Sequence, residues 1–353
     1  MQWDLYCRVV DNFGDIGVAW RLAADLAGRG ERVRLAVDDA RALAWMAPHG
    51  AAGVEVVGWS DGPSAAPDVV VEMFGAGRLR RPWPAAARLP MLVNLEHLSA
   101  EPYVERSHGL PSPARRPGEP PTTTWFFYPG FTPATGGALR EPGLLESRRA
   151  FGRGDNWLEL IGIRTRADER RVSLFCYPNA PVVELLDALA ESPTLLLLAP
   201  GPAADRVGEI LGTSLKRGGL RAVRVPDLAQ PDFDRLLWSC QLNFVRGEDS
   251  FVRAIWAGAP FVWQAYVQDD GVHRDKVTAF LDRFLAGAPP TLATRVRHVF
   301  ARWNGLAHGT LAELDDRDPG LADWAAHCER WRDALAAQED LTSQLLRFVQ
   351  PRR

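Results

Sequence analysis

The stretch Asp11-Asn12-Phe13-Gly14-Asp15-Ile16-Gly17 decides which fold this sequence predicts. Apolar residues alternate before it and predict a strand over residues 3–10, whereas apolar spacings of three and four after it predict a helix over 16–29. A strand that leads directly into a helix is typical of βαβ units. The stretch therefore indicates an α/β protein whose first strand-to-helix turn carries two carboxylates, those of Asp11 and Asp15.

The same alternation continues along the 353 residues. Further strands are predicted at 32–37, 55–58, 68–74, 91–95, 172–177, 194–199, 220–225, 242–245 and 260–266. Helices are predicted at 181–191, 203–211, 233–240, 250–257 and 272–285, and one long helix is predicted over 321–349. We therefore expect two Rossmann-like domains with parallel sheets, residues 1–155 and 165–335, with residues 336–353 packing back on the first.

Composition excludes several classes of function. The net charge of −3 gives no bulk electrostatic attraction to nucleic acid or to a membrane surface. No apolar segment approaches the roughly 20 residues that span a bilayer. The four cysteines are widely spaced and are expected to be reduced and buried, and the N-terminus has no signal-peptide pattern. We expect a cytoplasmic protein.

A second strand-to-helix turn, Arg246-Gly247-Glu248-Asp249-Ser250, follows the strand at 242–245. The N–H groups and the dipole at the start of a helix favour an anion such as phosphate. Open parallel sheets bind ligands beyond the carboxyl ends of their strands, where both turns lie. The pattern predicts a cleft with an acceptor on one wall and a phosphorylated donor on the other. The histidines show no metal-ligand spacing, so no metal is expected.

Each of these signals has a simpler structural interpretation that the sequence leaves open. Asp15 is also a preferred N-cap residue for the first helix. The second turn is also consistent with an ordinary capped helix that carries a surface pair between Arg246 and Glu248. Aromatic residues suited to stacking on a base, which are Phe175, Tyr177 and Phe233, are also consistent with core packing.

Residues 99–150 differ from the rest of the chain, because they are rich in Pro, Gly and Thr. A long irregular segment inside a globular chain is usually a functional loop or a linker. Aromatic residues embedded at 125–128 and 131 favour a packed loop. Residues 99–137 of this segment are a candidate surface for docking an acceptor, together with the face around Asn12 and Phe13. The arginines at 78, 80 and 81 are a further candidate.

Five motifs together resemble the bacterial EarP family, the protein-arginine rhamnosyltransferases that mature elongation factor P. They are Asp11 to Gly17, Asn94-Leu95-Glu96-His97-Leu98-Ser99-Ala100-Glu101, His108-Gly109-Leu110-Pro111-Ser112-Pro113, Pro129-Gly130-Phe131-Thr132 with Gly136-Gly137, and Phe244 to Ala254. The resemblance runs from about residue 3 to the final helix.

The resemblance implies a GT-B glycosyltransferase fold, in which two parallel sheets face each other across a cleft. It implies that the first domain binds the acceptor and the second binds a nucleotide sugar. The implied donor is dTDP-β-L-rhamnose, and the implied acceptor is one arginine of elongation factor P. The product would be an α-rhamnosyl arginine formed with inversion. No cofactor, nucleic-acid partner or membrane partner is expected.

The resemblance also assigns roles to residues. The family's catalytic aspartates match Asp11 and Asp15, and Glu248 is expected beside them as a group that positions the donor. The thymine pocket of the family matches Phe175, Gln230 and Phe233. Its diphosphate site matches Tyr177, Arg246, Glu248, Asp249 and Ser250. The other expected substrate contacts are Asn12, Phe13 and Gly14. The chain departs from the family at Asp227, where an aromatic usually follows Val-Pro.

Guanidinium has a pKa above about 12, so an arginine nucleophile needs help. We expect Asp15 to act as a general base or to hold the guanidine so that its charge lies on the far nitrogens. Asp11 would orient the side chain and the sugar. Three alternatives stay open. They are a GT-B enzyme or epimerase that uses another nucleotide sugar, a non-catalytic protein that binds elongation factor P, and a dinucleotide oxidoreductase. The last is disfavoured because G-x-G-x-x-G is missing.

Overall fold

The computed structural model describes residues 1–11, 13–77, 89–115, 121–267, 271–314 and 320–352. The chain folds as two compact units. Unit 1 comprises Met1–Pro142 and Leu335–Arg353, and unit 2 comprises Gly143–Ala334. Asn12 and the arginines at 78, 80 and 81 lie outside the described residues, so the expectations placed on them stay predictions.

Unit 1 is built on a seven-stranded sheet with the order β3-β2-β1-β4-β5-β7-β6. Its strands are β1 Gln2–Cys7, β2 Arg32–Val37, β3 Val54–Gly58, β4 Val69–Met73, β5 Met91–Leu95, β6 Pro111–Ala114 and β7 Thr122–Phe127. All neighbouring strands are parallel except β6 and β7. Helices α1 Gly14–Gly28, α2 Leu43–Met46 and α3 Pro102–Ser107 connect them.

The region predicted to be an irregular loop holds regular structure. The aromatic residues at 125–127 lie in β7, which continues the sheet beside β5. The sequence pattern did not reveal this strand because its parallel partner β5 lies about 30 residues away, and its antiparallel partner β6 is a four-residue edge strand that contains two prolines. Proline is tolerated in an edge strand because one side needs no ladder hydrogen bonds.

The core of unit 1 lies between one face of the sheet and α1. Trp3, Leu5 and Cys7 alternate along β1 and are fully buried against that helix, which contributes Ile16 and Leu22. This alternation is the period-2 pattern that predicted the strand, and it places the turn after β1 at the carboxyl edge of the sheet.

Unit 2 contains a six-stranded sheet with the order β10-β11-β9-β8-β12-β13, in which only β10 and β11 pair antiparallel. The strands are β8 Arg170–Leu174, β9 Thr194–Leu198, β10 Lys216–Arg217, β11 Leu220–Arg224, β12 Leu242–Arg246 and β13 Phe261–Gln264. The helices are α4 Leu144–Phe151, α5 Asp155–Leu160, α6 Val182–Ala190, α7 Pro202–Leu211, α8 Gln230–Trp238, α9 Asp249–Ala257, α10 Val272–Phe284, α11 Pro290–Trp303 and α12 Gly320–Ala336.

The single long helix predicted over 321–349 is wrong, because the structure divides it into α12 and α13 Leu341–Val349. Asp340 is the N-cap of α13, and its carboxylate accepts a 2.9 Å hydrogen bond from the backbone N–H of Ser343. A side chain that caps a new helix start competes with continuation of the old helix, which explains the break. No helix in the described parts of the chain is long and apolar enough to cross a membrane.

Candidate active site

The turn between β1 and α1 is held by the Asp15 carboxylate. Its Oδ2 accepts hydrogen bonds from the backbone N–H groups of Val10, at 2.8 Å, and Asp11, at 2.9 Å. The side chain is only 6% exposed. The N-cap interpretation of Asp15 is wrong, because Phe13 is the N-cap of α1 and both bonds go to groups that precede the helix.

The two oxygens of Asp15 therefore differ. Oδ2 shapes the turn, and both of these hydrogen bonds between described residues go to that oxygen and not to Oδ1. A carboxylate whose position is fixed by backbone groups, with one oxygen left over, is preorganised to accept a proton or a hydrogen bond from a ligand.

Asp11 is half-buried and lies against Gly14. The Gly14 N–H donates a 2.7 Å bond to the Asp11 carbonyl, and a Cβ built on Gly14 would lie 2.9 Å from Asp11 Oδ2. A side chain at position 14 would thus displace the neighbouring carboxylate. The ring of Phe13 packs edge-on to Trp45, with centroids 5.2 Å apart. Part of the ring that was predicted to contact a ligand therefore packs against the core instead.

Cys7 lies at the end of β1 and is fully buried. Burial, with the nearby charges of Asp15 and Asp38, raises the pKa of this thiol far above its usual range. Burial likewise raises the pKa of Cys176 in unit 2 to about 12. Burial therefore disfavours the thiolate form of both cysteines at neutral pH.

In unit 2, the structure brings together three of the predicted donor-binding side chains. The guanidinium carbon of Arg246 lies 4.5 Å from the ring centroid of Phe175 and 4.5 Å from that of Tyr177. Arg246 is the last residue of β12, and the two aromatic residues follow β8, its neighbour in the sheet. Arg246 is only 6% exposed, so the surface-pair interpretation of this arginine is wrong. Cation–π contact with two rings fixes the guanidinium plane.

The turn from β12 to α9 is shaped by Ser250 and Trp263. The Ser250 hydroxyl accepts a 3.1 Å bond from the Arg246 N–H and donates to the Arg246 carbonyl. Trp263 in β13 donates its indole N–H to the carbonyl of Gly247, at 2.9 Å, where the backbone adopts a φ of +63°. These bonds hold the start of α9 in place, and the Ser250 hydroxyl would have to rotate to donate to a ligand.

The remaining predicted residues lie around the same edge of unit 2. Glu248 is the N-cap of α9, no side chain forms a cap hydrogen bond there, and Asp249 is the first helical residue. Gln230 begins α8 and is buried, and Phe233 lies one turn later, with its ring 5.9 Å from that of Phe175. Phe175 and Phe233 also pack against the core, so base stacking and core packing are compatible for both.

Asp227 lies in the loop between β11 and α8 and is exposed. The resemblance led us to expect an aromatic residue at this position.

Three supporting interactions were not predicted from the sequence. Gln264, only 1% exposed, accepts a 2.8 Å bond from the backbone N–H of Tyr177. Arg253 and Asp234 form a buried pair with two 2.7 Å hydrogen bonds that joins α9 to α8. Trp263 supports the turn as described above. Of these interactions, only the one made by Gln264 could have been suspected from the sequence, because a glutamine at the end of an apolar strand suggests a buried hydrogen bond.

Chemically, the unit 1 turn offers a fixed carboxylate and the unit 2 edge offers a buried cation at a helix start. The first suits a cationic or proton-bearing acceptor, and the second suits an anionic leaving group. In the described parts of the chain, no three His, Cys, Asp or Glu side chains are grouped so as to hold a metal ion.

Residues 3–350 match the family described as Elongation-Factor P (EF-P) rhamnosyltransferase EarP. The chain belongs to the EarP family. A protein-arginine rhamnosyltransferase of Pseudomonas aeruginosa is 40% identical, and the match covers 98% of each chain. A second one, from Neisseria meningitidis serogroup B, is 31% identical over 98% of this chain and 96% of the other.

Solved structures agree with the EarP assignment. One described as the structural basis for EarP-mediated arginine glycosylation of translation elongation factor EF-P has a TM-score of 0.68 and 30% identity, covering 99% of both chains. Spinosyn rhamnosyltransferase SpnG has a TM-score of 0.55 at 15% identity, covering 99% of this chain and all of the other, so it supports the fold alone. The α/β, GT-B glycosyltransferase fold expected from the sequence is confirmed.

Proposed function

We propose that this protein transfers L-rhamnose from dTDP-β-L-rhamnose to one arginine side chain of elongation factor P, with inversion at the anomeric carbon. The observation that carries the proposal is the EarP family match over residues 3–350. The activity is that of a glycosyltransferase, and elongation factor P is its protein partner. A cytoplasmic location fits a translation factor as acceptor and four buried free cysteines.

The acceptor arginine would be bound in unit 1. The guanidinium keeps its proton in water, and its nitrogens become nucleophilic only when a proton leaves or when charge is drawn to the far side of the group. Asp15 suits either task, because Oδ2 is anchored by two backbone N–H groups and Oδ1 is left for the ligand. Asp11 would then orient the guanidine and the sugar from its place above Gly14.

The donor would be bound in unit 2. Arg246, Tyr177 and the start of α9 would stabilise the negative charge that grows on dTDP as the glycosidic bond breaks through an oxocarbenium-like state. Glu248 at the N-cap would position the sugar. Phe175, Gln230 and Phe233 would hold thymine, and Asp249 and Ser250 would contact the diphosphate. No metal or other cofactor enters this scheme.

The direct test is intact-mass spectrometry of elongation factor P incubated with this protein and dTDP-β-L-rhamnose. We expect the acceptor to gain the mass of one deoxyhexose, located on arginine by peptide fragmentation. Binding of the two proteins without any gain in mass would support the alternative of a non-catalytic partner.

Replacing Asp15 separates its chemical role from its structural role. Asp15→Asn keeps an oxygen that accepts the bonds from Val10 and Asp11 but removes the charge, so we expect rhamnosyl transfer to fall by at least about 10³-fold. Affinity for dTDP, measured by calorimetry, should stay within about threefold, because the donor residues lie in unit 2. Asp15→Ala removes the bonds as well and should also lower the melting temperature. Normal turnover by Asp15→Asn would remove this residue from the chemistry.

Donor choice needs its own measurement, because exposed Asp227 stands where the family usually has an aromatic. Calorimetric titration with dTDP and UDP should show preference for dTDP if Phe175, Gln230 and Phe233 form a thymine pocket. Equal affinities would favour a GT-B enzyme that uses another nucleotide sugar.

A further inference from the structure

A cavity of about 390 Å³ opens at the amino edge of the unit 2 sheet. It is lined by the first residues of β8 and β12 and by Pro260, which precedes β13. At the other ends of these strands, Tyr177 follows β8 and Arg246 ends β12. The cavity and the candidate donor site therefore lie at opposite ends of the same strands. A five-residue strand is roughly 16 Å long, which sets the distance between them.

The lining of this cavity is strongly basic. It includes four arginines, Arg148, Arg153, Arg170 and Arg171, and one carboxylate, that of Glu329. Asp155, beside the lining, pairs with Arg171 at 2.6 Å and with Arg153 at 3.8 Å. Several guanidinium groups on one concave surface still favour an anionic ligand, because their like charges repel one another.

Two of these arginines are buried where they border the cavity. Arg171 is only 3% exposed and donates Nη1 to Asp155 at 2.6 Å, but its Nε finds no hydrogen-bond partner among the described residues. Arg170 is 9% exposed and donates Nη1 to the carbonyl of Leu314, at 2.7 Å. A buried N–H left unsatisfied is a donor that a ligand can use.

Arg148 is bound to the protein through carbonyl oxygens. Its Nε donates to Ala257 at 3.2 Å and its Nη1 to Gly152 at 3.4 Å. Burial lowers the pKa of Arg148, and the charge of Arg332 lowers it further, while Glu329 acts in the opposite sense. An anion beside Arg148 would stabilise the charged form that burial and Arg332 disfavour.

The rest of the lining decides what kind of anion fits. Trp238, Leu242 and Leu321 supply apolar surface beside the arginines. The volume lies in the range of small-molecule sites, about 300–1,000 Å³. Several guanidinium groups favour a phosphate, which carries a charge of about −1.5 to −2 at pH 7, over a singly charged carboxylate.

We propose that this cavity binds a phosphate monoester with a small apolar body, at a site separate from the one that holds the nucleotide sugar. The phosphate accepts hydrogen bonds from Arg148 and Arg171, and the apolar body packs on Trp238 and Leu321.

The test uses phenyl phosphate as the probe with the full-length protein, titrated by calorimetry with and without saturating dTDP. We expect one binding event with a Kd below about 1 mM that dTDP does not abolish. Arg148→Gln should weaken it at least tenfold. Arg149→Gln is the matched control, because Arg149 is the next residue on α4, is exposed, pairs with Glu146 and does not border the cavity.

A second variant shows whether weaker binding by Arg148→Gln reflects a lost contact with the probe or a folding defect. Arg153 is 78% exposed at the rim of the cavity, and Arg153→Gln should weaken the probe several-fold with no change in melting temperature. The proposal is overturned if phenyl phosphate does not bind up to about 10 mM, or if Arg148→Gln and Arg153→Gln both bind it as the unsubstituted protein does. Neither residue belongs to the candidate donor site, so this outcome is independent of the rhamnosyl-transfer proposal.

Discussion

At the scale of single residues, position 14 shows how a missing side chain can place a functional one. The Asp11 carboxylate occupies the space that a Cβ on Gly14 would need, at 2.9 Å. The backbone of Gly14 is helical, so the glycine is required by space and not by a left-handed conformation. The clash would be with the far end of a short side chain, which can move at little cost to folding.

Gly14→Ala should therefore impair activity more than stability. We expect the methyl group to displace Asp11, lowering the transfer rate by about tenfold or more while the melting temperature stays within a few degrees. Steady-state kinetics with elongation factor P and thermal unfolding give the two readouts. Gly28→Ala, in the same helix, is the control, because its Cβ would meet no atom within 4 Å. Unchanged kinetics in Gly14→Ala would mean that Asp11 has no positioning role.

At the scale of elements, the donor-site residues depend on how α8 and α9 are joined. Gln230 and Phe233 lie at the start of α8, and Asp249 and Ser250 lie at the start of α9. Asp234 and Arg253 connect the two helices through a pair in which both side chains are at most 5% exposed. The planar guanidinium meets the carboxylate with two parallel bonds, which restricts both distance and angle.

Breaking this pair should be strongly destabilising. Arg253→Met leaves the buried Asp234 carboxylate without its guanidinium, which costs about 3–5 kcal/mol in the free energy of unfolding. Arg235→Met on α8, the helix that carries Asp234, is the control, since the Arg235–Asp232 pair is largely exposed and should contribute at most about 1 kcal/mol. Urea denaturation measures the free energy of unfolding of both variants. A similar decrease in the two would show that the buried pair stabilises the protein no more than the exposed pair.

At the scale of the whole molecule, the end of the chain completes the core of unit 1. Leu341, Leu345 and Val349 on α13 are buried in the cluster formed by β1 and α1. Arg29 at the end of α1 donates to Asp340 at 2.8 Å, beside its bonds to Asp25. The segment that starts at Leu335 is therefore part of the first unit's fold, although it follows the second in sequence.

Leu345→Ala should destabilise unit 1 by about 2–5 kcal/mol, because a fully buried leucine leaves a cavity when it is shortened. Arg347→Ala changes an exposed side chain of the same helix and should have an effect within about 0.5 kcal/mol. Calorimetric unfolding measures both. A loss for Leu345→Ala as small as that of the control would contradict the assignment of α13 to this core.

The sequence by itself determined the features that a few neighbouring residues encode. Alternation and helical spacing predicted most strands of both sheets, and the strand-to-helix turns with Asp11, Asp15 and Arg246 were recognisable because turn chemistry is local. The motifs also indicated the family, since their residue order is visible without a structure. The edge strand β6, its partner β7 and the break before α13 were missed, because pairing and capping outweigh local propensity there.

Only the tertiary structure decided how those side chains are used. It showed that one oxygen of Asp15 holds the turn and that Arg246 contacts two aromatic rings that follow the neighbouring strand. It also showed that Trp263 and Arg253 support α9 and the turn before it. These contacts join residues from 4 to about 70 positions apart. The longer ones exist because strand pairing and helix packing bring distant segments together, which no local pattern encodes.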